Sequence, residues 1–333
     1  MSFPQTSFPQ TFPRPIAIYY EHPQWFRPLF AELDRRGIAY EAIRADQLTF
    51  DPSTSNAGRY SAVLNRMSPS AWERGRGGAV FFTQHLLKHW ESEGLDVING
   101  SKAYALDISK GAQSAFLERL GIRTPKTKIV YGADQLVAAG RSLEYPLVVK
   151  PNMGGNGAGV VRVDSEEELA FRVETGTLKT GPDGVYLLQE YHAPKGGSVV
   201  RAETLEGKLL YGIRLHLGET RNFSICPADV ACTLDGRALA ANARSKDHGN
   251  GAKVEAFQPE AEAVEEIERI AQAAGMDVGG VEYLVSERDG ERYYYDVNVL
   301  SNFIADPVNV LGFDPTSRLV DALQRRVRHL IAA

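Results

Sequence analysis

PLVVKPNMGGNGAGVVRV (146–163) decides the reading of this 333-residue chain. Two β-type apolar runs, PLVVKP (146–151) and GVVRV (159–163), flank a turn with glycine at 154, 155, 157 and 159. Glycine lets backbone N–H groups approach an anion closely, and Lys150 at the end of the first run supplies a point charge beside them. A strand follows the turn, so the helix-opening dinucleotide pattern does not fit. The competing reading is an ordinary glycine-rich hairpin with a surface lysine. Phosphate binding therefore needs support from elsewhere in the chain.

Support comes from GVEYLVSERDGERYYYDVN (280–298). Asp296 and Asn298 stand at i and i+2 of a strand and face the same way. Oxygen donors at this spacing suit Mg²⁺ held together with substrate phosphates, whereas two solvated strand residues are the bland alternative. If Arg288-Asp289-Gly290 is a three-residue loop with Gly290 left-handed, Glu287 lies opposite Glu291, and Glu282 then faces Asp296 across the ladder. Two acids on one sheet face repel unless a cation sits between them. A two-residue Asp289-Gly290 turn puts Glu282 on the opposite face, so the metal reading requires the longer loop.

Outward from these segments, the β-type runs IAIYY (16–20), YEAIRA (40–45) and AVLNR (62–66) alternate with helical patterns at 25–37 and 79–94. This predicts a small parallel α/β domain over residues 15–100, behind an N-terminal tail (1–14) that repeats SFPQT. A helix ending in LERLG (117–121), a capping box at Ser165/Glu168 and the run VYLLQEY (185–191) fill residues 101–192. Residues 193–333 hold four β-type runs that predict an antiparallel sheet. They also hold a helix from Pro259 to Gly275 with Val264, Ile267, Ile270, Ala271 and Ala274 on one stripe.

Composition excludes several classes. With 37 basic and 42 acidic residues the chain carries −5, a poor prior for nucleic-acid binding. No apolar stretch approaches the roughly 18 residues of a membrane span, and the first residues do not read as a secretory signal, which predicts a cytoplasmic protein. Cys226 and Cys232 are the only cysteines, too few for a disulfide scaffold and without the partners of a zinc finger. The seven histidines form no HExxH pattern and no G-x-S-x-G stretch marks a serine nucleophile. Gln189-Glu190-Tyr191 ends a strand whose free backbone groups suit an adenine edge, and an interdomain linker is the competing reading. Arg66, Lys110, Arg201, Arg214, Arg221 and Arg244 are candidate anion contacts, HGNGAK (248–253) is a candidate second phosphate loop, and His216 and His248 are candidates for proton chemistry.

Taken in order, SKGAQSAFLERLGIRTPKT (109–127), PLVVKPNMGGNGAGVVRV, LQEY (188–191) and GVEYLVSERDGERYYYDVN resemble the ATP-grasp superfamily over roughly residues 96–305. The likeness is nearest to ribosomal-protein glutamate ligases and glutathione synthetase-like carboxylate–amine ligases. It implies an α/β plus α+β architecture, with the small parallel domain ahead of two ATP-grasp subdomains. It implies ATP as cofactor, with Lys110 and Lys150 on its phosphates, Gly154, Gly155, Gly157 and Gly159 in the lid, and Gln189, Glu190 and Tyr191 at the adenine hinge. Glu282, Asp296 and Asn298 match the ligands for Mg²⁺ (Mn²⁺ being the alternative), and Arg201 and Arg214 match arginines near the acyl phosphate. Asp296 stands where Glu is usual, Glu282 where Asp is commoner, Leu300-Ser301-Asn302-Phe303 replaces Ser-Ser-Pro-Gly, and 220–236 reads as an insertion. These departures speak against an ordinary glutamate ligase. The implied reaction joins a carboxylic acid, amino acid or peptide to an amine, or less often a thiol, through an acyl phosphate. No nucleic-acid or membrane partner is expected, and a homo-oligomer is compatible with the reading. A small-molecule kinase and a nucleotide-binding protein without turnover are the rivals.

Overall fold

Three sheets, one parallel and two antiparallel, organise the computed structural model, which describes residues 14–56, 58–155, 157–217 and 253–332. The first contains β1 (Ile16–Tyr20), β2 (Tyr40–Arg44), β3 (Ala62–Arg66) and β4 (Val97–Ile98), all parallel, in the order β2-β1-β3-β4. Every residue of β1 and β3 is buried, as a parallel strand covered on both faces requires. Helices α1 (Arg27–Arg35) and α2 (Gly77–Ser92) lie on opposite faces. The strand order reverses between β1 and β3, so a crevice opens outside their carboxyl ends.

The expected single helix before LERLG is two: α3 (Ser101–Asp107) and α4 (Lys110–Arg119). Ser109 breaks them by turning extended and capping α4 through a bond from Ala112 N–H at 3.2 Å. This break puts Lys110 at a helix start. The second sheet contains β5 (Thr127–Tyr131), β6 (Leu147–Pro151), β7 (Val161–Val163) and β8 (Val185–Glu190) in the order β5-β8-β6-β7. It packs on α5 (Leu136–Gly140) and α6 (Glu166–Glu174). Ser165 caps α6 as its capping box predicts, while Glu168 reaches back to Asp164 N–H at 2.9 Å.

The third sheet contains β9 (Ser198–Leu205), β10 (Lys208–His216), β11 (Lys253–Ala256), β12 (Val278–Val285) and β13 (Arg292–Asn298), in the order β11-β10-β9-β12-β13. Helix α7 (Ala261–Ala274) covers one face, with Ile267, Ile270 and Ala271 against Val200, Val281 and Tyr294. Its buried stripe takes Ala263 where the sequence suggested Val264, and Pro259 lies just before the N-cap Glu260. Gly275 ends it at φ +68°. The chain closes with α8 (Pro307–Leu311) and α9 (Pro315–Ala332).

Helix α9 reaches across to the first sheet, while Arg325 and Arg326 hold Glu206 and Asp277 beside the third. Leu319, Val320, Leu323 and Val327 pack on Ile16, Ile18, Leu29 and Leu33 of the first sheet. Arg36 donates to Asp321 at 2.5 Å and Ser317 Oγ to Glu32 at 2.8 Å, fixing the register. No helix among the described residues is long and apolar enough to cross a membrane.

Candidate functional site

The acidic floor of the site depends on a β-bulge. The β12–β13 turn closes with Ser286 N–H to Glu291 O at 2.8 Å and Gly290 N–H to Ser286 O at 2.9 Å, so residues 287–290 form a four-residue loop. Gly290 is left-handed as expected, at φ +75°, but the expected three-residue loop is not formed. Val285 pairs with Arg292, Leu284 with Tyr293 and Tyr283 with Tyr294, a register that continued unchanged would set Glu282 opposite Tyr295. Tyr295 is bulged out instead, and Glu282 pairs with Asp296. The juxtaposition expected from the sequence is present, produced by a bulge and not by the loop length.

Asn298 follows on the same face, its Nδ2 3.3 Å from Glu282 Oε1 and 3.4 Å from Asp296 Oδ2. Lys110 donates to Asp296 Oδ1, and Lys150 Nζ donates to Tyr295 O at 3.4 Å. Lys110 comes from the start of α4 and Lys150 from the end of β6, so two lysines meet the floor from two different elements. The charges separate the two acids. Burial raises the Asp296 carboxyl, but Lys110 and Lys150 outweigh it and hold its pKa below the ordinary value. For Glu282 burial wins over Arg201, and its carboxyl is pushed up. Lys110 is held above the ordinary ammonium value by Asp296 despite burial, whereas burial and Lys110 bring Lys150 down to about 8.

These residues fit a hard divalent cation. Two part-buried carboxylates face each other with the Asn298 amide against both. Turned about its Cβ–Cγ bond, that amide offers Oδ1 in place of the two N–H bonds it now gives. Arg201, paired with Glu282 on neighbouring strands, stands 3.4 Å from Glu282 Oε1 through Nη1. Its other nitrogens donate to Glu203 at 2.7 Å and to Ser301 Oγ at 2.5 Å, which fixes the guanidinium.

Around this floor lies a cavity of about 240 Å³. Lys110, Lys150, Arg201, Glu282, Asp296 and Asn298 all line it. Gly154, Gly155 and Gly157 form its glycine-rich edge, and Gln189, Glu190 and Tyr191 line it further along. Gly159 is not at the wall: at φ +73° its position leaves only 2.9 Å between an added methyl and Pro151, so it makes the turn. The Glu190 carboxylate accepts Glu144 N–H at 3.0 Å and lies 3.8 Å from Lys126, and Arg162 sits over the Tyr191 ring at 4.5 Å.

Arg214 is a correction. The β9–β10 turn closes with Leu205 opposite Lys208, and a count from there sets Arg214 opposite Val199, on the face of Arg201. A slip between Leu209 and Tyr211 leaves Leu210 unpaired and moves Arg214 opposite Val200, on the α7 face. There it stacks 3.9 Å from the Phe257 ring centroid and 3.7 Å from Glu255, away from the cavity. His216 shares that face and approaches Glu255 at 3.0 Å. Arg66 lies buried beneath the site, donating to Ser301 O. Arg221, Arg244, Cys226, Cys232, His248, residues 1–13, most of the tract 248–253 and the insertion 220–236 lie outside the described residues.

Trp25, Ser68 and Ser70 complete the cavity from the first sheet and were not singled out from the sequence. The signal that finds them is topological, since both loops leave the carboxyl ends of β1 and β3 where the strand order reverses. Asp107 also lines the cavity. It accepts Val299 N–H at 2.8 Å and Leu300 N–H at 3.4 Å, and burial pushes its carboxyl up to about 7.

The architecture matches that of an ATP-grasp ligase, PsnB, in complex with a minimal precursor: TM-score 0.65 at 17% identity, over 94% of this chain and 99% of that one. It also matches D-alanine–D-alanine ligase from Bacillus anthracis at TM-score 0.61 and 18% identity, over 96% and 99%. The chain has the ATP-grasp fold. D-cycloserine synthetase DcsG shares it at TM-score 0.63 and 16% identity, over 94% and 99%. In sequence, the ATP-grasp chain is 36% identical over 96 residues to D-alanine–D-alanine ligase of Pseudomonas entomophila, covering 28% of this chain and 29% of that protein. It is 25% identical over 165 residues to the large chain of carbamoyl phosphate synthase from Xanthomonas campestris, covering 48% and 15%. The matches thus span less than a third of the length of these curated relatives. No family model matches the chain.

Proposed function

We propose that this chain is an ATP-dependent, ADP-forming carboxylate–amine ligase working through an acyl phosphate. The observation that carries the reading is the meeting of Glu282, Asp296 and Asn298 with Lys110 and Lys150 in one cavity. Such a site brings two anions together, a triphosphate and a carboxylate, and must offset their repulsion. Lys110 and Lys150 reach the phosphates from one side. Arg201, fixed by Glu203 and Ser301, faces the reacting end from the other. Mg²⁺ (or Mn²⁺) held by Glu282, Asp296 and Asn298 would neutralise the oxygens of the transferring phosphoryl group.

In the proposed reaction the substrate carboxylate oxygen attacks the γ-phosphorus of ATP and ADP leaves. The amine nitrogen then attacks the acyl carbon, phosphate departs and the amine proton is lost. The glycine-rich turn excludes water that would hydrolyse the acyl phosphate. The relatives support this class of chemistry, since the matched structures include one with Mg and ADP and one named as a D-alanine–D-alanine ligase. The acid and the amine are a small-molecule or peptide carboxylate and an amine acceptor.

An ADP-release screen across amino acids and dipeptides, with mass spectrometry of the product, tests the reading. Stoichiometric ADP, phosphate and a new amide are expected. A stable phosphorylated product would make the protein a kinase, and nucleotide binding without ADP under any mixture would make it a binding protein. Lys150→Ala is expected to abolish nucleotide turnover, and unchanged ATP consumption by that variant would overturn the assignment.

A further inference from the structure

The glycine-rich turn does not stand alone over the cavity. It rests on a turn of the first sheet's domain, the short helical segment Pro69–Arg74 that follows β3. Gly155 N–H donates to Glu73 Oε1 at 3.3 Å. A methyl added at Gly155 would stand 3.2 Å from Ser70 Cβ, tighter than an ordinary contact. One at Gly154 would stand 3.6 Å from Glu73 Oε1 and 3.8 Å from Trp72 Nε1. Trp72 Nε1 is itself buried and makes no hydrogen bond. Close approach to this seat therefore favours glycine at 155, whereas a methyl at 154 would make only ordinary contacts with it.

Glu73 is well placed to hold the turn. It comes from the first domain, is half-buried, does not line the cavity, and accepts from a backbone amide that no strand uses. Burial raises its carboxyl above the ordinary value, with the Gly155 amide, Arg74 and Lys179 acting against that rise. The segment that carries it is braced from behind. Arg74 and Arg76 converge on the fully buried Glu21, Arg74 donates to Ser70 Oγ at 3.1 Å, and the Arg74 guanidinium lies 4.8 Å from the Trp25 ring centroid. The same stretch also presents Ser68 and Ser70 to the cavity, Ser70 serving both as wall and as seat. One short turn thus does two things, walling the cavity and seating the glycine-rich turn.

We propose that Glu73 is a positioning residue that latches the glycine-rich turn onto the first domain, so that this turn closes over the cavity only when the Ser68–Ser70 wall is in place. The latch ties the two ends of the reaction together. A nucleotide covered by the turn is covered only where the acyl end is also formed, which limits loss of the activated intermediate to water. The inference rests on the ligase reading for its consequence in turnover, and on the geometry alone for the latch.

Two measurements separate these. In the nucleotide-free protein, amide hydrogen exchange of peptides containing Gly155 is expected to speed by about tenfold in Glu73→Ala, with the exchange of β1 and β3 unchanged. Glu73→Gln keeps the accepting oxygen and is expected to stay within about twofold of the parent. In turnover, Glu73→Ala is expected to raise KM for ATP by about tenfold with kcat changed less than about threefold. It is also expected to raise the fraction of ADP formed without product. Gly155→Ala, which pushes the turn off Ser70, is expected to behave like Glu73→Ala. Unchanged exchange at Gly155 in Glu73→Ala, or a Glu73→Gln as fast as Glu73→Ala, overturns the latch. If the exchange result holds and the parent protein binds no nucleotide, the latch stands and the ligase reading falls.

Discussion

The two hairpins of the third sheet, β9–β10 and β12–β13, carry the same irregularity with opposite results. Each gains one unpaired residue on its second strand, Leu210 in one and Tyr295 in the other. In β12–β13 the slip brings Asp296 opposite Glu282 and creates the acidic floor. In β9–β10 the slip carries Arg214 from the cavity face to the α7 face and leaves Arg201, of these two arginines, on the cavity side. A one-residue shift inverts every side chain beyond it, so a bulge is as decisive for a sheet-borne site as a change of residue. Catalytic candidates on strands are therefore paired by the bulges between them and only loosely by the turns that join them.

The comparison is broken most directly by its two arginines. Arg201→Ala is expected to lower kcat by roughly 10²–10³, while Arg214→Ala changes it by less than about threefold. Steady-state ADP release on both variants measures this. Equal losses would return Arg214 to the site and refute the face assignment. The acidic pair is sharpened by Glu282→Gln, which removes one charge of the cation set and is expected to raise the Mg²⁺ concentration for half-maximal turnover by about tenfold. A magnesium titration that superimposes on the parent curve would remove Glu282 from the cation set.

A carboxylate far from both hairpins provides the smallest effect, on stability and not on chemistry. Arg35, Ser317 and Arg36 hold the Glu32 carboxyl down to about 2 from an ordinary 4.5. Its folded form binds fewer protons than its unfolded form, so its stabilisation is complete above the ordinary value and is lost as pH falls toward 2. Urea midpoints measured between these limits are expected to fall less steeply in Glu32→Gln than in the parent, with turnover at neutral pH unchanged.

Much of this architecture is legible in the sequence because periodicity is local. IAIYY, AVLNR and SVVRAETL form strands with the bounds their alternation and apolar runs suggest, and Gly275 ends α7 where glycine should. Lys150 and the DVN pair are legible because a lysine at a strand end and two oxygens at i, i+2 have meaning before any tertiary contact. The Glu282–Asp296 pairing is reached through the wrong loop because a bulge at Tyr295 leaves no mark in alternation, and the resemblance that names Arg214 carries no information on the bulge at Leu210. Trp25 and Ser70 were missed because they belong to the cavity only through strand order, which is a property of the sheet and not of any stretch of chain. Helix α9 escaped in the same way. Its apolar stripe shows that it packs somewhere, and not that its partner lies some 300 positions earlier, at Ile16 and Leu33.

That last contact bears on how the polypeptide reaches its native form as it leaves the ribosome. The first strands made cannot finish their own interior, since Leu319, Leu323 and Val327 supply part of it and are made roughly 300 residues later. Until then the face of the earliest sheet that α1 covers is only partly sealed. The second sheet can fold in the meantime, and the first sheet waits for α9 to complete its core.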